Sequence, residues 1–177
     1  HVTSQRYFHA IHDPNAFHIH PLNTLRAIAT EVERLGGVIH DSSPVIDADF
    51  TGATKRVNTP QGHASAPRIV FGPLIPRLHR AVLPIATYMM ITEPAPELIA
   101  TAIKTRACMY DDRRAGDYYR LVEGGARLLW GGRITTRAAD PAGIARELRR
   151  ERLTADPQLA DLRTELSWSR LLGYARH

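Results

Sequence analysis

The stretch from Tyr118 to Trp130 restricts the possible folds of this chain more than any other. Two runs of strand-forming residues, Tyr118-Tyr119-Arg120-Leu121-Val122 and Arg127-Leu128-Leu129-Trp130, flank Glu123-Gly124-Gly125-Ala126. Adjacent glycines supply the positive φ angles of a tight hairpin, so the two runs should pair antiparallel. Any fold for this chain must contain that ribbon and cover one of its faces.

Other signals fill in the surroundings. Leu22, Leu25, Ile28, Ala29, Val32 and Leu35 form one stripe of an amphipathic helix that Gly36-Gly37 ends. Short strands are expected at 38–40, 45–48, 56–58, 63–66 and 68–71, with Thr59-Pro60-Gln61-Gly62 as a turn. A longer strand spans 82–91, and Thr92-Glu93-Pro94 stops it before a short helix near 97–103. Asp140 before Pro141 is an N-cap followed by a first-turn proline, which predicts a helix over 141–153. Residues 159–168 mix helical and strand character. The fold class is therefore α+β with a mixed or antiparallel sheet.

Composition excludes several classes. Of 177 residues, 44% are hydrophobic and 23% charged, which fits a soluble globular protein and not a disordered or fibrous one. No run approaches the roughly 20 apolar residues that cross a bilayer, and His1-Val2-Thr3-Ser4-Gln5-Arg6 lacks a signal-peptide core, so no membrane partner and a cytoplasmic location are expected. Cys108 is the single cysteine, so no intrachain disulfide forms, and it reads as a small buried apolar residue. The net charge of +5 could attract an anionic partner, but Glu147 and Glu151 interleave with Arg146, Arg149, Arg150 and Arg152, the pattern of a solvated helix face; nucleic acid is not an expected partner.

In order, the fragments Ala16-Phe17-His18-Ile19-His20-Pro21-Leu22-Asn23, Gly36-Gly37-Val38-Ile39, Ser43-Pro44-Val45, Leu83-Pro84-Ile85, Thr92-Glu93-Pro94, Asp111-Asp112-Arg113, Asp117-Tyr118-Tyr119-Arg120-Leu121, Arg127-Leu128-Leu129-Trp130-Gly131-Gly132-Arg133 and Leu166-Ser167-Trp168-Ser169 resemble the middle of the glycine/D-amino-acid oxidase-like family of FAD enzymes, in its gamma-glutamylputrescine oxidoreductase-like branch. The resemblance implies part of an FAD-binding α/β domain over residues 1–75 and a substrate-binding domain over 76–177. It also implies oxidation of the C–N bond of a small-molecule amine or amino acid. The family's glycine-rich phosphate turn would lie upstream of His1, and no Gly-x-Gly-x-x-Gly occurs in the chain. FAD is thus expected of a longer protein, completed by N- and C-terminal segments, and is not expected on this chain alone. The rival expectation is a non-catalytic interaction domain that keeps the fold.

In such chemistry the cofactor moves the electrons and the protein positions and desolvates, so an aromatic and cationic surface on a rigid sheet matters more than a triad. Alternation along the hairpin puts Tyr119 and Leu121 on one face and Tyr118 and Arg120 on the other. By resemblance an aromatic residue here lines the substrate side of the flavin. Tyr119 is chosen, with Tyr118 packing under helices, although both could be packing residues. Arg120 could grip a substrate carboxylate or pair with Asp111, Asp112 or Asp117. Trp130 and Trp168 read as core. His9, His12, His18 and His20 lack partners at familiar ligand spacing, so no metal is expected. His20 reads as fixing the helix entry, with a flavin- or substrate-proximal role open. The resemblance makes Val45 and Gly72 cofactor-adjacent.

Overall fold

The computed structural model describes residues 2–71, 82–136 and 140–175. In chain order come α1 (Pro21–Arg34), β1 (Asp47–Asp49), β2 (Lys55–Thr59), β3 (Gly62–Ala66) and β4 (Val82–Thr92). Then follow α2 (Pro96–Ala102), β5 (Met109–Tyr110), β6 (Tyr118–Val122), β7 (Arg127–Thr135), α3 (Pro141–Ala155) and β8 (Thr164–Ala175). Two units result, one of Ile19–Pro76 and one of His1–His18 with Arg77–His177.

The larger unit is built on a five-stranded sheet, order β5-β6-β7-β4-β8, in which every pairing is antiparallel. Gly124 and Gly125, at φ 69° and 106°, close the β6–β7 hairpin as their sequence requires. β4 shows the period of two in its burial: Ala86, Tyr88, Met90 and Thr92 are buried, whereas the residues between them are not. The buried set meets Ile99 and Ala102 of α2 and Ile144, Leu148 and Ala155 of α3, together with Leu128, Trp130 and Tyr119 from β7 and β6. One face of the sheet is therefore covered by helices, which is how a half-apolar sheet hides its surface.

α3 begins where the sequence places it. The Asp140 carboxylate accepts hydrogen bonds from the N–H groups of Ala142 at 3.2 Å and Gly143 at 2.9 Å, satisfying donors that the helix leaves free. The first residues of the chain join this unit. Thr3 N–H donates to Ala102 O at 2.7 Å, while Ser4 Oγ and Gln5 N–H donate to Ala155 O at 2.7 and 2.9 Å.

In the smaller unit, β1, β2 and β3 form an antiparallel meander, and Thr59 Oγ1 accepts from the N–H of Gln61 and Gly62 in the expected turn. α1 has the expected stripe, yet none of its residues is buried: Leu25 is 64% exposed and Ile28 55%.

Three expectations are corrected and a fourth is resolved. Residues 38–40 and 68–71 do not form strands, since no described strand lies alongside to take their hydrogen bonds. The 159–168 segment resolves into a 3-10 turn at Pro157–Leu159 and the start of β8. Trp168 is half-buried instead of core, because its register opposite Met89 puts it on the face without helices. Cys108 is exposed, lying in the connection between α2 and β5.

Candidate functional site

The face of the five-stranded sheet that no described helix of its own unit covers carries Tyr118, Arg120 and Trp168, and of the described residues expected at the site only Arg120 lies on it. Cross-strand register puts Tyr118, Gly131, Met89 and Trp168 in one row, and Arg120, Leu129, Ile91 and Leu166 in the next. Rows two residues apart along a strand are separated by roughly 7 Å. Arg170 enters the same face opposite Thr87. The result is a flat surface of aromatic, thioether and aliphatic groups carrying two guanidinium groups.

Tyr118 supplies its most defined feature. Its hydroxyl and that of Thr87 on β4 are 2.9 Å apart, although β7 runs between the two strands. The ring must therefore lie across β7, over Gly131, whose lack of a Cβ leaves the space. Beside it, an Arg120 guanidinium nitrogen is 2.8 Å from His18 Nδ1. Two of the three acids expected to hold Arg120, Asp111 and Asp117, are engaged elsewhere. Asp117 Oδ2 accepts from Arg6 at 2.9 Å and Arg113 at 2.6 Å, and Asp111 Oδ2 accepts from Arg113 at 2.7 Å.

Tyr119, chosen from the sequence as the flavin-facing residue, lies on the helix-covered face and is 3% exposed. Its ring stacks on Trp130 with centroids 4.2 Å apart and on Tyr7 at 6.4 Å. Burial, reinforced by the charge of Asp156, raises its phenol pKa. The alternation holds, with Tyr118 and Tyr119 on opposite faces of the sheet. What decides the face is the position of α2 and α3, which the hairpin residues do not encode.

Two ionic clusters stand on the covered side, the first around the buried Asp117. In the first, burial raises the pKa of Asp117 against the pull of Arg113, while the neighbouring Arg6–Glu151 pair, at 2.9 Å, ties the N-terminal segment to α3. Tyr7 donates to Asp111 at 3.2 Å, and burial with the charges of Asp117 and Asp111 pushes its phenol up to about 12. In the second, Arg152 and Asp156 are both fully buried. Arg152 Nη2 donates to Leu162 O at 2.7 Å, but Arg152 Nε and Nη1 and both Asp156 oxygens have no hydrogen-bond partner. Desolvation drives Arg152 down to about 10 and Asp156 up to about 6.

The other expected residues lie in the smaller unit. His20 is the N-cap of α1, with Nδ1 accepting from Asn23 N–H at 3.3 Å, so its part in the helix entry is structural fact. Val45 is 53% exposed. Gly72 falls outside the described residues. Among the described residues no three His, Cys, Asp or Glu side chains are grouped to hold a metal ion, and no helix is long and apolar enough to cross a membrane.

Sequence reading missed His18, Thr87, Gly131 and Gly132. Counting outward from the Gly124-Gly125 turn would have paired Tyr118 with Gly131 and signalled a ring laid over a glycine.

Comparison with known proteins places the chain in a family. The model of the DAO family, described as FAD dependent oxidoreductase, matches residues 1–173. Gamma-glutamylputrescine oxidoreductase of Escherichia coli (strain K12) is 30% identical over 176 residues, 95% of this chain and 41% of that protein. A probable oxidoreductase OrdL of Haemophilus influenzae is 25% identical, covering 96% of this chain and again 41% of its own length. The chain thus spans about two fifths of these curated relatives. Among solved structures, glycine oxidase from Geobacillus kaustophilus superposes with a TM-score of 0.66 at 20% identity, over 85% of this chain and 41% of that one. L-proline dehydrogenase from P. horikoshii gives 0.69 at 16%, over 89% and 44%. At these identities the likeness shows the fold.

Proposed function

The chain belongs to the DAO family of FAD dependent oxidoreductases, and from that premise we propose that it is the substrate-binding part, with a portion of the FAD-binding part, of an enzyme that oxidises the C–N bond of an amine or amino acid. The observation that carries this reading is the uncovered sheet face with its flat Tyr118–Met89–Trp168 row and neighbouring Arg120. A planar ring system fits a surface of that kind, with no bulky residue standing at Gly131. FAD, when bound, accepts the electrons of the C–N bond. The chain's own residues bind and orient. Tyr118 is the ring that meets the substrate, taking the part first given to Tyr119, and the Arg120–His18 pair receives an anionic group. Val45 contributes main-chain contact to the adenine end of the cofactor. Gly72 and His20 remain candidates beside the cofactor and the substrate.

The chain contains no Gly-x-Gly-x-x-Gly turn, the element whose backbone N–H groups would anchor the cofactor phosphates. The purified 177-residue chain is therefore expected to be colourless. The test is to express a longer reading frame containing this chain, measure bound flavin by absorbance, and mix the protein anaerobically with a panel of amines and amino acids. Bleaching of the flavin by at least one of them is expected. Stoichiometric flavin that no amine bleaches would sink the reading.

A further inference from the structure

The shape of the uncovered face depends on two consecutive glycines acting on opposite sides of one strand. Tyr118 pairs with Gly131, and Asp117 precedes it against Gly132. Successive strand residues point to opposite faces, so Asp117-Tyr118 offers one side chain to each face and Gly131-Gly132 leaves room on each. On the uncovered face a Cβ at Gly131 would overlap Cε2 and Cζ of Tyr118 and Sδ of Met89. On the covered face a Cβ at Gly132 would fall 2.8 Å from Asp117 Oδ1 and 3.3 Å from Leu148 Cδ2. Asp117 is 4% exposed, with Oδ2 gripped by Arg6 and Arg113 and its N–H donated to Asp111 at 3.2 Å. Glycine inside a strand sacrifices both packing and chain entropy, so two in succession are costly unless the space is used.

We propose that Gly131-Gly132 forms a two-sided cradle, anchored by Asp117 on the covered face, that holds Tyr118 flat as the floor on which the substrate lies. Gly131, Gly132 and Asp117 are positioning residues that act through Tyr118. The Thr87 hydroxyl fixes the far end of the ring and the Asp117 clamp fixes its backbone, so the floor is set before any ligand arrives. A displacement of about 1 Å in such a surface is enough to weaken productive binding by roughly 100-fold. The inference rests on the proposed function for the identity of the ligand and on the geometry alone for the cradle.

The experiment is a double-mutant cycle with two readouts. In the longer flavoprotein, anaerobic flavin reduction by the best amine of the panel gives its apparent Kd and limiting rate for Gly131→Ala, Tyr118→Ala and the pair. Gly131→Ala is expected to raise Kd by about tenfold or more when Tyr118 is present and by under about twofold in the Tyr118→Ala background. Asp117→Asn is expected to raise Kd more than it lowers the limiting rate. Equal effects of Gly131→Ala in both backgrounds overturn the proposal. Should Gly131→Ala fail to fold, Tyr118→Phe and Thr87→Val remove the hydroxyl contact without adding volume. Each should raise Kd, and together no more than either alone; additive effects, or none, overturn the proposal. If no amine bleaches the wild-type flavin, the function falls by itself. The same cycle read as thermal midpoints of the 177-residue chain then decides the cradle, with non-additive shifts supporting it and additive shifts ending it.

Discussion

The two units of this chain carry equally clear hydrophobic patterns and treat them in opposite ways. In the larger one, alternate residues of β4 vanish under α2 and α3, and Met90, Leu128, Trp130 and Leu148 are all fully buried. In the smaller one, α1 has a helical apolar stripe as regular as any, and no described residue of 19–71 is buried. A periodic pattern states which face of an element is to be covered. It says nothing about what covers it, and only the larger unit holds both the pattern and its cover.

The sharpest way to break that contrast is to remove apolar volume from each unit. Trp130→Ala should destabilise by about 3–5 kcal/mol, whereas Leu25→Ala on the exposed stripe of α1 should stay within about 0.5 kcal/mol. Denaturant unfolding monitored by circular dichroism measures both. Equal losses would show that the stripe of α1 has found a cover after all.

A second test uses the buried Asp156. Its pKa is raised from the ordinary carboxylate value to about 6, so the folded state holds the proton more tightly than the unfolded one. The associated stability is full below about pH 4 and is lost as pH rises through about 6, a change of roughly 3 kcal/mol. Asp156→Asn, which keeps a neutral side chain at every pH, should match wild type near pH 4 and melt higher at pH 7.5. A difference in melting temperature that does not grow between those pH values would refute the assignment.

The smallest contrast is between the two helix starts. Asp140→Ala, which removes two carboxylate–amide hydrogen bonds from α3, should cost about 1 kcal/mol, and His20→Ala at the start of α1 should cost less, since a single 3.3 Å contact is lost. Thermal unfolding of the two variants compares them, and a larger loss at His20 would reverse the ranking.

Much of the fold could be read from the residues because its signals were local. The Gly124-Gly125 turn, the Asp140-Pro141 start, the Thr59–Gly62 turn and the α1 stripe all emerged as the sequence states them. Strands 38–40 and 68–71 did not, because a strand exists only when another lies beside it. The site divides in the same way. Opposition of Tyr118 and Tyr119 followed from alternation, but the sign of the face depended on helices that begin some 20 residues away on either side. His18 and Arg120 are 102 positions apart, and no local rule joins them.

That kind of separation also governs when the molecule can form. Ser4 takes its acceptor from Ala155, 151 positions later, and Gln5 shares it. A ribosome adding about 5–20 residues per second needs on the order of ten to thirty seconds to cover that interval. Throughout it the opening segment has been made and its dock has not. The last pieces of the larger unit to close are therefore set by synthesis, and a chaperone or a fast-pairing neighbour has that window in which to meet the segment first.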